Sequence, residues 1–71
     1  MCEQPMSFVL RGQELVVIDL EDGWLVRYED QAANARYLDH ALAELLGLSP
    51  AMALSLVRQI LRAEPGSRLS L

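Results

Sequence analysis

Few side chains in this 71-residue chain could carry out chemistry, and most of them stand alone. His40 is the only histidine, and on a helix it would lie one turn from both Arg36 and Glu44. That spacing could form a proton-relay pair or half a metal site, but it is also typical of ordinary contacts on a solvated helix face. Because Cys2 is the only cysteine, a Cys/His zinc site cannot be assembled, and we predict no metal site.

Two further groups could belong to a binding site, and a simpler interpretation accounts for each. Asp19 interrupts an apolar strand, where it could be a buried functional carboxylate or a residue at the rim of a sheet. Trp24 and Tyr28 share a strand face and could stack on bases, although core packing under the helices is the stronger interpretation because the whole face is apolar. The sequence has no glycine-rich phosphate loop and no Ser-His-Asp set. We therefore predict no catalytic residues, no cofactor and no enzyme activity.

Composition and charge narrow the class of protein. Apolar residues make up 52% of the chain, which excludes a disordered protein. No apolar run approaches the ~20 residues of a membrane span, and the first eight residues lack the features of a signal peptide. We therefore expect a cytoplasmic protein with no membrane partner. The net charge of −4 disfavours nucleic acid as a partner.

The first half of the chain is rich in β-branched and aromatic residues and contains two turn signals. Gly12-Gln13 fits the loop of a type II′ hairpin, and Asp22-Gly23 fits a type I′ hairpin. These turns predict an antiparallel meander with strands at 7–11, 14–20 and 24–29.

The predicted register places Arg11 opposite Glu14 and Leu20 opposite Leu25, which sorts the strand side chains onto two faces. One face carries an apolar set suited to packing under helices: Phe8, Leu10, Leu15, Val17, Trp24, Val26 and Tyr28. The other face carries Val9, Val16, Ile18, Leu20 and Leu25. This second set is too apolar for a solvated surface.

Two helices are predicted after the strands. Asp30 can cap a helix that starts near Gln31 and ends at Gly47, a residue typical of left-handed helix ends. Ser49 and Pro50 then predict the cap and first position of a second helix, which ends near residue 64.

These elements predict an α+β fold of order β-β-β-α-α. A three-stranded antiparallel meander is followed by a two-helix hairpin that packs on one sheet face. A single domain spans residues 7–64, between a frayed N-terminus at 1–6 and a flexible C-terminal tail at 65–71.

The connection between the helices also fits a DNA-binding pattern. With Gly47 as the turn glycine and Ala43 as the small residue before it, the segment 39–58 resembles a helix-turn-helix. The resemblance implies that the second helix would contact DNA, through Ser55, Arg58 and Arg62. The early positions of that helix cannot read base edges by hydrogen bonds, because they carry Pro50, Ala51, Met52 and Leu54.

Two excesses of apolar surface lead to the functional prediction. Two helices can cover only one face of the sheet, and the second helix is apolar around most of its circumference. The predicted interface comprises Val9, Val16, Ile18, Leu20, Leu25, Leu54 and Leu61, with Arg11 and Arg27 placed to meet Glu14 and Glu29 at the rim of a twofold dimer. We predict a small protein–protein interaction module, either a homodimer or an accessory subunit of another protein chain. The alternative is a DNA-binding transcriptional regulator.

Overall fold

Five strands form a mixed sheet, and two helices pack on one of its faces. The structure is a computed structural model that describes residues 5–71. The elements in chain order are β1 (Pro5–Leu10), β2 (Gln13–Leu20), β3 (Gly23–Tyr28), β4 (Gln31–Ala35), α1 (Leu38–Leu46), α2 (Pro50–Arg62) and β5 (Arg68–Leu69). The strand order is β4-β3-β2-β1-β5. The predicted α+β class is confirmed, but the three-stranded meander is wrong because the sheet has two additional strands.

The structure describes only the last two residues of the predicted frayed N-terminus at 1–6. Residues 1–4, including Cys2, lie outside the described residues. Pro5 and Met6 belong to β1, where they pair with Ile18 and Val17 of β2.

The hydrophobic core lies between the helices and the predicted core face of the sheet. Leu15, Val17 and Val26 of the central strands are fully buried, as are Leu42 of α1 and Leu56 of α2. The same cluster contains Phe8, Leu10, Leu38, Ala41, Ile60 and Leu69. Burying each large apolar side chain contributes roughly 1.5–3 kcal/mol, so this single layer accounts for most of the hydrophobic stabilisation. The predicted helix-covered face is therefore confirmed.

The β1–β2 turn differs from the predicted one. Leu10 pairs with Gln13, so the two loop residues are Arg11 and Gly12 rather than Gly12 and Gln13. Their φ angles of 53° and 77° are both positive, which is the requirement of a type I′ turn. The register moves by two residues, so that Phe8 faces Leu15 instead of Val17. Because side chains alternate with a period of two, the two faces of the sheet keep their predicted residues.

The β2–β3 turn is also displaced. Leu20 pairs with Gly23, so the loop residues are Glu21 and Asp22, and neither has a positive φ. The predicted Asp-Gly type I′ turn is therefore wrong. Gly23 is needed for space: a Cβ there would lie 2.7 Å from the carbonyl oxygen of Ala35 at the end of β4.

The predicted first helix begins too early. Gln31–Ala35 form β4, which pairs antiparallel with β3, and α1 starts only at Leu38. A tight turn at Glu29 and Asp30, with Glu29 at φ 56°, returns the chain alongside β3. Hydrogen bonding to the edge of β3 outweighs the helical preference of three alanines in this segment.

The ends of the helices otherwise follow the predicted signals. Gly47 ends α1 in the left-handed conformation, and Ser49 caps α2 by accepting a hydrogen bond from the backbone N–H of Met52. Pro50 occupies the first turn, as predicted. The helix ends at Arg62, two residues before the predicted end.

The segment after α2, for which the sequence predicted no element, pairs with β1. Arg68 and Leu69 form the short parallel strand β5 beside Val9 and Leu10. The Gln59 side chain of α2 holds Ser70, the residue after β5. It donates to the Ser70 carbonyl oxygen and accepts from the Ser70 N–H at 2.8 Å. A side-chain amide on the helix therefore positions the last strand.

Replacing Gly23 with alanine is expected to destabilise the protein by about 1–3 kcal/mol, because the new methyl group must displace the backbone at Ala35. For a domain of this size, each kcal/mol lowers the melting temperature by roughly 4–8 °C. Gly12→Ala is the control, since a Cβ at Gly12 meets no atom within 4 Å and tests the positive φ alone. Hydrogen exchange should show faster exchange in β4 for Gly23→Ala only. Native stability and protection in Gly23→Ala would contradict the close approach.

Replacing Arg11 with asparagine is expected to stabilise the protein by about 0.5–1 kcal/mol, because asparagine tolerates the left-handed conformation better than arginine. Arg11→Val is the control, since it removes the same charge and adds a β-branched side chain that resists a positive φ. Thermal unfolding should rank the Asn variant above the wild type and the Val variant below it. Equal stability of the two variants would exclude the type I′ turn.

Candidate interaction surface

The face of the sheet opposite the helices carries five apolar side chains, which we call the open face: Val9, Val16, Ile18, Leu20 and Leu25. The strand registers place Ile18 beside Leu25, with Val16 and Leu20 one pleat away along β2. None of these five side chains belongs to the buried cluster, and all five are half-buried by their neighbours in the sheet. Within residues 5–71, the helices pack with side chains of the opposite face and with none of these five.

Charged groups lie on either side of this apolar strip. Arg27 of β3 is the direct cross-strand neighbour of Val16, and Ser7 of β1 is its neighbour on the opposite side. The Ser7 hydroxyl donates a hydrogen bond to the Glu14 carboxylate, which holds the negative charge toward β1. Around Val16, the open face therefore carries Arg27 on the β3 side and the Glu14 carboxylate on the β1 side, while Arg68 of β5 lies beyond Val9 on the same face.

The predicted interface residues of α2 lie elsewhere. Leu54 and Leu61 project from the outer side of α2, 47% and 68% exposed, with the exposed Arg58 midway between them in sequence. Because α2 packs on the covered face of the sheet, these residues are separated from the open face by the core. The structure brings together the five sheet residues of the predicted interface but not the two helix residues.

The geometry of the helix pair agrees with the helix-turn-helix resemblance. Residues 47–49 link the helices, and the chain bends by 119° between them. Paired helices of this motif meet at roughly 90–120°. Ser55, Arg58 and Arg62 are all exposed on α2, as a DNA-contacting role requires. Their exposed neighbours Ala51, Met52 and Leu54 offer no hydrogen-bonding groups to base edges.

The candidate chemical groups are not assembled into a site. Arg36 precedes α1, so it is not one helical turn from His40 as predicted. His40 instead lies 3.8 Å from the carboxylate of the adjacent Asp39 and makes an edge contact with the ring of Tyr37. Asp19 is exposed at the rim of the covered face, opposite Trp24. The described part of the chain contains no cluster of three potential metal ligands and no buried polar side chain.

The aromatic pair of β3 has a structural role. Trp24 and Tyr28 are half-buried and pack against the core cluster. The hydroxyl group of Tyr28 donates a hydrogen bond of 2.9 Å to the carbonyl oxygen of Leu10, which joins β3 to the end of β1. Because both rings pack against the core, they do not form an exposed surface for base stacking.

An open depression at one end of the sheet was not anticipated from the sequence. Three carboxylates line it, from Asp19, Glu21 and Asp22, together with Leu20, Gly23, Trp24, Arg36 and Tyr37. All three acidic residues are exposed to solvent. This depression is a solvated rim rather than an enclosed pocket.

The outer edge of β4 was also missed by sequence reasoning, because the sequence predicted a helix there. β4 is the last strand on its side of the sheet and contacts only β3 and α1 in the described structure. Three of its five residues are alanine, so the segment lacks the alternation of apolar and polar side chains that predicts a strand.

Within residues 5–71, no single helix is both long and apolar enough to cross a membrane, although α1 and α2 together pass on length and composition as a sharply bent pair. Comparison with protein-family models, with curated proteins and with solved structures finds no match to this chain.

Proposed function

We propose that this protein is a small interaction module that forms a homodimer through the open face of its sheet. One observation carries the proposal: five apolar side chains share the sheet face opposite the one on which the helices pack. An antiparallel sheet can leave one face in water when the side chains on that face are polar. Here the β2 residues on the open face are apolar at Val16, Ile18 and Leu20.

The size of the open face fits this role. At ~4.8 Å between strands and ~3.3 Å per residue, five strands of six, eight, six, five and two residues give the whole sheet face a projected area of about 430 Å², and the five apolar side chains occupy part of it on β1, β2 and β3. Contiguous apolar patches on a protein surface are often binding sites. Two sheets packed face to face bury such a patch at a spacing of about 10 Å, as in a β-sandwich.

The charges on the open face favour a second copy of the chain as the partner. A twofold axis parallel to β2 places Val16 on its own mate and Arg27 over Ser7 of the other copy. Because Ser7 holds the Glu14 carboxylate at that position, Arg27 meets a negative charge across the interface. The same contact occurs twice by symmetry. A different chain could also cover the apolar strip. A second copy of this chain, however, brings its own Glu14 carboxylate to meet Arg27.

Val16→Glu is expected to reduce the mass of the assembly in solution, because it places a charge in the centre of the open face, where two copies would bury it. Leu61→Glu is the matched control, since it adds the same charge to the outer side of α2. Light scattering and sedimentation at micromolar concentration should show a smaller assembly for Val16→Glu and an unchanged assembly for Leu61→Glu.

The reverse result would place the interface on α2 and overturn the proposal, as would a strictly monomeric wild type that binds no apolar dye.

Charge reversal separates self-association from binding of another chain. Arg27→Glu or Glu14→Arg alone should weaken the dimer, and the double variant should restore it. A double variant weaker than both single variants would exclude the twofold arrangement.

The helix geometry supports a second candidate function, a DNA-binding regulator that uses α2. The 119° bend and the three-residue link between the helices favour it. The acidic net charge and the apolar start of α2 oppose it.

Electrophoresis of a mixed-sequence DNA duplex at low salt distinguishes the two candidates. The interaction module is expected to cause no retardation. Retardation that weakens steeply with salt, and that is lost in the Arg58→Glu/Arg62→Glu variant, would instead establish the second candidate. Arg11→Glu/Arg68→Glu is the control with the same change in net charge outside α2.

A further inference from the structure

The second surface of interest is the outer edge of β4. In an antiparallel pair, alternate residues direct their N–H and C=O groups away from the partner strand. Along β4 these groups have no strand partner in residues 5–71, because β4 ends the sheet on that side. An edge strand with free backbone groups is a template for pairing with another strand.

The composition of β4 does not block such pairing. Proteins usually protect an edge with a charged residue, a proline or a bulge inside the strand. Gln31–Ala35 contains no charge and no proline, and its ladder to β3 runs without interruption from Tyr28–Gln31 to Trp24–Ala35. Small side chains at Ala32 and Ala33 also allow close approach of a neighbouring strand.

Charges flank the strand in a self-complementary order. Asp30 precedes β4 and Arg36 follows it, and both are exposed. The one contact between oppositely chargeable side chains in residues 5–71 joins Asp39 and His40, so neither flanking charge is paired within the described chain. One end of the edge is therefore negative and the other positive, which suits an antiparallel copy of the same strand.

The register of such a pair follows from symmetry. Residues opposite each other in a sheet point to the same face, so a twofold axis must pass through one residue and its own mate. An axis at Ala33 pairs all five residues of β4, with Ala32 opposite Asn34 of the second copy. The same register places Asp30 opposite Arg36 at both ends.

We propose that β4 is a self-association edge, at which two copies of the chain pair antiparallel about Ala33 and form one continuous ten-stranded sheet. Roughly four to six backbone hydrogen bonds join the copies, with an ion pair at each end. Tyr37, which is 57% exposed, follows Arg36 and adds apolar surface near the seam. The edge is distinct from the open face, and the proposal does not depend on the open-face dimer.

A cysteine cross-link tests this register directly. Residues 32 and 34 of paired copies would lie about 5 Å apart between Cα atoms, within the range of a disulfide. Residue 32 and its own mate would lie about 8 Å apart, which is too far. Ala32→Cys and Asn34→Cys are made separately, each with Cys2→Ser to remove the native thiol and Val16→Glu to block the open face.

Mild oxidation of the two variants together is expected to give about tenfold or more covalent dimer than oxidation of either alone. Equal yields from the mixture and from the single variants, or no dimer in any sample, would overturn the proposal. The Val16→Glu block makes the result independent of the open face. Loss of the cross-link therefore leaves the proposed function standing.

Charge variants in the same Val16→Glu background give a second test by sedimentation. The background protein is expected to be a dimer held by β4, and Asp30→Arg should weaken it about tenfold by placing arginine opposite Arg36. Adding Arg36→Asp should restore the dimer. Glu64→Arg is the control, with the same charge change near β5. A background protein that stays monomeric at high micromolar concentration, or an Asp30→Arg effect matched by Glu64→Arg, would overturn the proposal.

Discussion

The fold depends on the burial of two leucines, Leu42 of α1 and Leu56 of α2, in the one core cluster that joins the helices to the sheet. α1 and α2 have nine and thirteen residues, so together they supply one layer and no more. Everything they bury lies on one side of the strands. A second apolar layer requires material from outside this part of the chain, because both helices pack against the same face of the sheet.

The two proposed surfaces follow from this single layer. The open face has apolar side chains and is completed by packing, whereas the edge of β4 has free backbone groups and is completed by hydrogen bonds. Contacts of the first kind depend on apolar area and weaken on cooling, while contacts of the second kind depend on backbone direction and on register. A single small domain therefore presents two chemically different ways of binding its own copy.

Sequence reasoning identified the faces of the sheet but not its extent. The alternation of apolar residues in β1, β2 and β3 has a period of two, so an error of two residues in both hairpins left every side chain on its predicted face. The β1–β2 turn was misplaced because Arg11 adopts a positive φ, a conformation that its residue type does not signal, and the turn at Glu29 that leads into β4 was missed for the same reason. Gly23 looked like a turn residue, although its small size serves the approach of β4.

β4 and β5 could not be predicted from the sequence, for different physical reasons. β4 is rich in alanine, whose local preference is helical, and only pairing with β3 makes it a strand. β5 has two residues, too few for any pattern, and depends on contacts with a strand some sixty positions earlier in the chain. The five sheet residues of the open face were predictable because their pattern is local. Their separation from Leu54 and Leu61 was not, because it depends on which side of the sheet α2 packs.

The clamp between Gln59 and Ser70 has a consequence for the order of folding. β1 can pair with β2 as soon as the first hairpin forms, but its other edge is covered only when β5 arrives from beyond α2. Non-local pairing of this kind forms late, since the intervening loop must first be closed. Until the helix delivers Leu69 to the sheet, β1 offers neighbouring chains the same kind of unpaired backbone that β4 retains in the finished fold. The backbone of β1 at Val9 and Leu10 is thus unpaired only during folding, whereas the outer edge of β4 is still unpaired in the folded single chain.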